Sequence, residues 1–174
     1  MPSIIRVLSQ ADDRSGFRSG DVDLDRFFER FAGQNQFRHY IGVTYVAVGD
    51  DAIVGYVTVT AASLETPALT PAARKKLPAY PLPVLRLARL AVDESAKGQG
   101  VGSALLRFVF TLAHEMAARL GCVGVVVDAK EGAVPFYEKY GFVPLEVRVG
   151  LLHDRPVLTP LFLELGAIPR LKTP

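Results

Sequence analysis

The stretch AVDESAKGQGVGSALL, Ala91 to Leu106, places glycines at 98, 100 and 102 between an apolar run and a helix-forming one. The run before it, VLRLARLAV (84–92), reads as a strand, and GVGSALLRFVFTLAHEMAARLG (100–121) as a long helix ended by Gly121. CVGVVVDA (122–129) follows, nearly all apolar, as a strand buried on both faces is. Strand, helix, strand across 84–128 implies a right-handed crossover between parallel strands, and this unit decides the fold class.

Outward from that unit the periods change. SIIRVL (3–8) can form a first strand. DVDLDRFFERFAGQNQ (21–36) has Asp21 or Asp23 as N-cap, and Leu24, Phe27, Phe28 and Phe31 at amphipathic-helix spacing. The β-branched runs VTYVAV (43–48) and AIVGYVTVTAA (52–62) flank Gly49-Asp50-Asp51, the pattern of a hairpin. From Thr66 to Pro83 five prolines surround a short basic helix candidate, PAARKKL (71–77), which reads as a long surface connection. AVPFYEKYGF (133–142) supplies a last short helix, with VPLEVRV (143–149) and VLTPLFLEL (157–165) as strands and 166–174 as a frayed tail. The expectation is a mixed α/β (α+β) sheet flanked by helices.

With 174 residues, 49% hydrophobic and 22% charged, the chain suits one domain over 1–174 with a real core. Net charge is only +2, so the total argues for no particular partner. A lone Cys122 in an apolar stretch excludes an internal disulfide and reads as a packed thiol in a reducing compartment. No apolar run reaches membrane-span length, and the N-terminus lacks a signal peptide's apolar core, so the expected location is the cytoplasm and no membrane partner is expected.

The glycine stretch fails both common phosphate motifs. A dinucleotide fingerprint counted from Gly98 ends on Ser103, and from Gly100 on Leu105, while a P-loop would need Lys-Ser/Thr after its last glycine. What remains is Lys97-Gly98-Gln99-Gly100-Val101-Gly102 at a helix N-terminus, where the first amides lack helical partners and the macrodipole is positive. Glycine lets such a backbone approach a pyrophosphate. A tight strand-to-helix turn serving only packing is the other reading.

Arg89-Leu90-Ala91-Val92-Asp93, then Lys97 to Gly102 with Ser103-Ala104-Leu105-Leu106, then FYEKYGF about thirty residues on, resembles the GNAT superfamily of N-acetyltransferases. The resemblance implies a GNAT-like acyltransferase fold with a mostly antiparallel sheet and a parallel βαβ unit. It also implies that Lys97, Gly98, Gln99, Gly100, Val101, Gly102 and Ser103 hold the pyrophosphate of acetyl-CoA. Lys97 stands where the family usually has Arg or Gln, and would add a point charge rather than a bidentate fork. By the same resemblance the backbone of Leu90, Ala91 and Val92 contacts pantetheine and the acetyl carbonyl, and Phe136 packs beside the cofactor.

The implied reaction is attack by a free amine on the thioester, with an acid for the leaving thiolate. The family's late motif places that acid on Tyr137. A phenol of ordinary pKa about 10 is protonated at neutral pH and can serve. Tyr140 is the neighbouring competitor, and each tyrosine could instead be a core aromatic. His39, His114 and His153 lie outside the matched motifs and have no metal-ligand spacing, so no metal is expected. Asp128 and Glu131 flank the last helix and read as caps.

A closer resemblance is to the toxin branch of this superfamily, whose members acetylate the α-amine of aminoacyl-tRNA and are held by a small DNA-binding antitoxin. DVDLDRFFERFAGQNQ, Gly55-Tyr56 in VGYVTVTAA, PVLRLARLAVD, and VVDA before FYEKYGF carry it. Between Glu65 and Asp93 there is no acid, while Arg74, Lys75, Lys76, Arg86 and Arg89 all fall there. Such a segment could bind phosphates, with Arg89 gripping the acceptor end; a solvated basic loop is the plain alternative. An aminoacyl ester lowers its amine's pKa, which removes the need for a base. Pairing of chains into dimers is common in the superfamily. A stand-alone acetyltransferase for a small amine or a protein N-terminus is the competing function.

Overall fold

The computed structural model describes residues 3–65, 68–79, 81–145 and 158–170. Its strands are β1 Ile4–Val7, β2 Val43–Gly49, β3 Ala52–Leu64, β4 Leu82–Val92, β5 Gly124–Lys130, β6 Val143–Pro144 and β7 Leu158–Glu164. The helices are α1 Val22–Arg26, α2 Ala32–Phe37, α3 Pro71–Arg74, α4 Val101–Arg119 and α5 Val134–Glu138. Seven strands are ordered β1-β2-β3-β4-β5-β7-β6 in a mostly antiparallel sheet with one parallel pair. The neighbours β4 and β5 are joined through α4, the crossover that the period change across 84–128 implies.

Two compact units are distinguished, residues 1–60 with 87–110, and residues 61–86 with 111–174. In the first, β1 and β2 pair from Ile4 with Val48 to Val7 with Tyr45. The β2–β3 hairpin turns on Asp50 (φ 44°) and Asp51 (φ 67°), both left-handed as a two-residue primed turn requires. Gly49 belongs to the strand, paired with Ala52. The core here gathers Leu8, Phe17, Phe27, Phe28, Ala32, Val46, Tyr56 and Ala91. Tyr56 is its centre, its ring stacked on Phe28 (4.4 Å between centroids, 5° between planes) and its hydroxyl donating to the Leu24 carbonyl at 2.7 Å.

The helix expected at 21–36 forms with Asp21 as its N-cap, the carboxylate accepting from the amides of Asp23 and Leu24. It is interrupted by a π-helical turn, Phe27–Phe31, between α1 and α2. The extra residue turns the helix face: Phe27, Phe28 and Ala32 are buried, whereas Phe31, expected on the apolar face, is 44% exposed.

In the second unit β7 pairs antiparallel with β5, from Gly124 with Glu164 to Lys130 with Leu158, and β6 pairs with β7. Leu69, Leu82, Val84 and Phe162 form its core. Three sequence expectations are corrected here. The connection before β4 is not wholly a surface loop, because Leu69 inserts into the core. Residues 166–170 are no frayed tail: Leu165–Ala167 make a 3-10 turn and Ile168 is buried, its carbonyl 3.3 Å from Nε2 of His114. Asp128 caps no helix; Lys130 holds the cap position, and Asp128 pairs with Arg86. Among the described residues of VPLEVRV, Val143 and Pro144 form strand. Residues 146–149, His153 and 171–174 lie outside the described residues. Cys122 is buried and unbridged, its thiol donating to the Gly124 carbonyl at 3.2 Å.

Candidate active site

The glycine loop begins where β4 ends, and its first residue, Asp93, fastens it. The Asp93 amide donates to the Val54 carbonyl at 2.8 Å. Its carboxylate accepts from the Arg18 amide at one oxygen and from the amide and hydroxyl of Ser95 at the other. Partial burial would raise this carboxyl, but those hydrogen bonds and the Arg18 charge outweigh it and hold the group below the ordinary carboxylate range. The Glu94 amide returns a bond to the Arg18 carbonyl at 2.8 Å, so the segment around Arg18 and the loop brace each other. Sequence reading passed over this role of Asp93, although Asp-x-Ser before a helix is a recognisable turn signal.

Lys97 has a protein partner as well. Its ammonium donates to the Ser19 carbonyl at 2.6 Å, so the side chain ties the loop to the 15–21 segment. Gln99 is exposed and its amide side chain bonds the Ser95 carbonyl at 3.2 Å. Gly98 (φ 77°) and Gly100 (φ 81°) are both left-handed, and a Cβ on either would meet nothing within 4 Å. Packing therefore does not demand glycine at these two positions; the backbone conformation does, and the space beside it is open. A turn built only for tight packing would put protein against those glycines, and none lies there.

Helix α4 opens immediately afterwards. Its backbone bond to the loop runs from the Ala104 amide to the Gly100 carbonyl at 3.0 Å, which leaves the amides of Val101, Gly102 and Ser103 with no partner inside the helix. A 19-residue helix places its positive dipole end there. Unpaired amides, a positive end and an open, Cβ-free approach together suit an anionic diphosphate. Gly55 sets the helix's position, since a Cβ there would come within 2.8 Å of Val101 Cγ1. Leu90 and Val92 are half-buried on β4, flanking the buried Ala91.

On α5, the Tyr137 ring is buried, edge-on to Phe136 (5.1 Å) and Phe142 (5.4 Å). No hydrogen bond holds its hydroxyl among the described residues. No side-chain nitrogen or oxygen there is both enclosed and unpartnered, so this oxygen reaches the surface. Burial pushes the phenol above its ordinary value, which keeps it protonated. Phe136 is half-buried and also meets Tyr140, edge-on at 5.6 Å. Tyr140 is less buried than Tyr137 and faces Lys139.

The basic segment divides. Arg74, Lys75 and Lys76 are exposed at the end of α3 and in the turn after it. Arg86 pairs with Asp128, both side chains partly exposed. Arg89 is half-buried, its guanidinium carbon 3.7 Å from the centre of the Phe27 ring.

Residues 41–144 match the model of the acetyltransferase (GNAT) domain. The chain belongs to the GNAT acetyltransferase family. It is 32% identical over 140 residues to a tRNA-acetylating toxin of Mycobacterium tuberculosis, covering 79% of this chain and 82% of that protein. A tyrosine-to-phenylalanine mutant of KacT matches with a TM-score of 0.82 and 27% identity over 97% of this chain and 98% of that one. AtaT complexed with acetyl-methionyl-tRNAfMet matches at 0.81 and 28%, over 95% and 96%. As a GNAT protein the chain is an N-acetyltransferase whose acyl donor is acetyl-CoA, and the open glycine loop with its unpaired amides fits that donor's diphosphate. Among the described residues no helix is long and apolar enough to cross a membrane.

Proposed function

We propose that this chain acetylates the α-amine of aminoacyl-tRNA in the cytoplasm and so blocks translation, as a toxin restrained by a small DNA-binding antitoxin. The observation that carries the reading is the match to the tRNA-acetylating toxin over most of both chains. Neighbouring folds support it: AtaT in complex with acetyl-methionyl-tRNAfMet and with the C-terminus of the antitoxin AtaR, and KacTA in complex with DNA.

Acetyl-CoA supplies the acetyl group as a thioester. On this reading the amides of Val101, Gly102 and Ser103, with Gly98 and Gly100 clearing the approach, hold its diphosphate. The acceptor amine must arrive unprotonated, and the adjacent ester lowers its pKa enough for water to take the proton. When the carbon–sulfur bond breaks, the Tyr137 phenol gives its proton to the thiolate. Arg89 and the exposed Arg74, Lys75 and Lys76 attract the polyanion; Arg86 joins them only by giving up Asp128.

A second reading, a stand-alone acetyltransferase for a small amine, draws on a 40% identical match to glucosamine 6-phosphate N-acetyltransferase of Trypanosoma brucei brucei. That match spans 53 residues, 30% of this chain and 33% of the other, and so bears on less of the molecule. Labelled acetyl-CoA incubated with charged and with uncharged bulk tRNA separates the two. Label on charged tRNA alone is expected; label on small amines and none on tRNA overturns the toxin reading.

A further inference from the structure

Phe27 occupies an unusual place. It opens the π-helical turn Phe27–Phe31, and the Ala32 amide reaches back to its carbonyl across the widened turn. Phe27 and Phe28 are consecutive yet both buried, at 5% and 0% exposure. Phe28 is spent on Tyr56, stacked at 4.4 Å. Phe27 lies farther from Tyr56, at 6.3 Å and tilted by 31°, and meets the Arg89 guanidinium instead. A core that needed only apolar volume could seat one phenylalanine per helical turn with no widened turn. π-Turns recur at functional sites because they re-aim a side chain.

We infer that Phe27 is a positioning residue for the acceptor: its ring holds the Arg89 guanidinium in the place from which that group receives the acceptor end of charged tRNA. This rests on the proposed function, in which Arg89 serves the acceptor. An arginine side chain otherwise samples many rotamers, and fixing it before binding removes an ordering cost from association. A ring face 3.7 Å from the guanidinium carbon restrains where that group lies while leaving its N–H edges to other groups. Desolvation by the buried ring strengthens the contact, and Arg89 also acts electrostatically on the buried Tyr56 phenol at the centre of the same core. The π-turn, Phe27 and Arg89 thus form one device, with Tyr56 anchoring the helix through Leu24.

The test is steady-state acetylation of charged bulk tRNA by wild type, F27L, F27Y, R89A and F27L/R89A, with the acetyl-CoA dissociation constant measured for each. F27L is expected to raise KM for charged tRNA about three- to ten-fold, with kcat and acetyl-CoA affinity unchanged. F27Y, which keeps the ring face, stays within about two-fold of wild type, and F27L adds less than about two-fold in the R89A background. Should F27L not fold, judged by thermal unfolding, F27M replaces it. An F27L effect undiminished without Arg89, or no F27L effect where R89A has one, overturns the inference and leaves the function standing. A wild-type KM retained by R89A removes Arg89 from acceptor binding and the inference with it. Absence of any transfer to charged tRNA by the wild type overturns the function as well.

Discussion

Gly55 lies against Val101 so closely that a methyl group on its Cα would come within 2.8 Å of Val101 Cγ1, 3.0 Å of Leu105 Cδ1 and 3.2 Å of the Ala91 carbonyl oxygen. The first turn of α4 can settle on β3 only because that Cα carries no side chain. Gly55→Ala should therefore both destabilise the fold and shift the helix end that carries the unpaired amides. Overpacking of this kind costs about 1–3 kcal/mol, which for a chain of this size lowers Tm by roughly 2–12 °C. Calorimetric melting with an acetyl-CoA titration checks it; unchanged melting together with unchanged affinity would show that the helix accommodates the methyl freely.

The loop glycines should behave in the opposite sense. At Gly100 a methyl meets no protein atom, and the only penalty in the free chain is the left-handed backbone at φ 81°, about 1–2 kcal/mol. A methyl would instead stand in the approach to the α4 amides. Gly100→Ala is expected to weaken acetyl-CoA at least about ten-fold while melting falls by only about 2–8 °C. Gly132→Ala, also in open space but without a left-handed φ, is the neutral control. Equal acetyl-CoA affinities for the two variants would place the diphosphate elsewhere.

Much of this was legible in the sequence, and the exceptions have physical causes. The crossover, the hairpin at Asp50-Asp51 and the Asp21 cap follow from period and turn chemistry, which are local properties. The π-turn is not local: it appears because Phe28 must stack on Tyr56 while its neighbour is also buried, a tertiary demand that overrides a regular helical period. Lys97 read as a charge for phosphate because its residue type suits one; that its ammonium also reaches the Ser19 carbonyl, 78 positions away, is a tertiary contact no local pattern carries. Asp128 read as a cap from its place in the chain, but Arg86 on β4 gives it a stronger partner. Ile168 has too few apolar neighbours in sequence to predict burial, which comes from the fold.

Asp93 joins the loop to acid stability. Its folded pKa lies below the ordinary value, so its contribution is fully present above that value and is lost as pH falls through the depressed one. Asp93→Asn gives up the carboxylate and turns an amide donor towards the donors of Arg18 or Ser95. The variant should be less stable than wild type by a constant margin from pH 5 to 8, and the margin should close only below the carboxylate range. Urea unfolding midpoints across pH 2–8 measure it. A margin independent of pH down to the acid limit would mean that hydrogen-bond geometry alone, without charge, accounts for the loss.

Tyr137→Phe separates catalysis from folding. The hydroxyl has no hydrogen-bond partner among the described residues, so its removal should change stability near neutral pH by no more than about 0.5 kcal/mol. Both neighbouring rings, Phe136 and Phe142, keep their edge-on contacts. As proton donor to the thiolate, however, the phenol should be worth about 10²–10⁴-fold in kcat, with acetyl-CoA affinity unchanged, and Tyr140→Phe should remain near wild type. The pH dependence follows from the sign of the shift. Burial raises the folded phenol above its unfolded value, so this stabilisation is complete below about pH 10 and is lost as pH rises through the folded pKa. Wild type should hold its kcat without an alkaline fall from this group up to about pH 10. Above it, wild type should lose stability relative to Tyr137→Phe, which has no phenol to ionise. Retention of wild-type kcat by Tyr137→Phe at every pH would assign the proton to another donor, and a large loss in Tyr140→Phe would identify which.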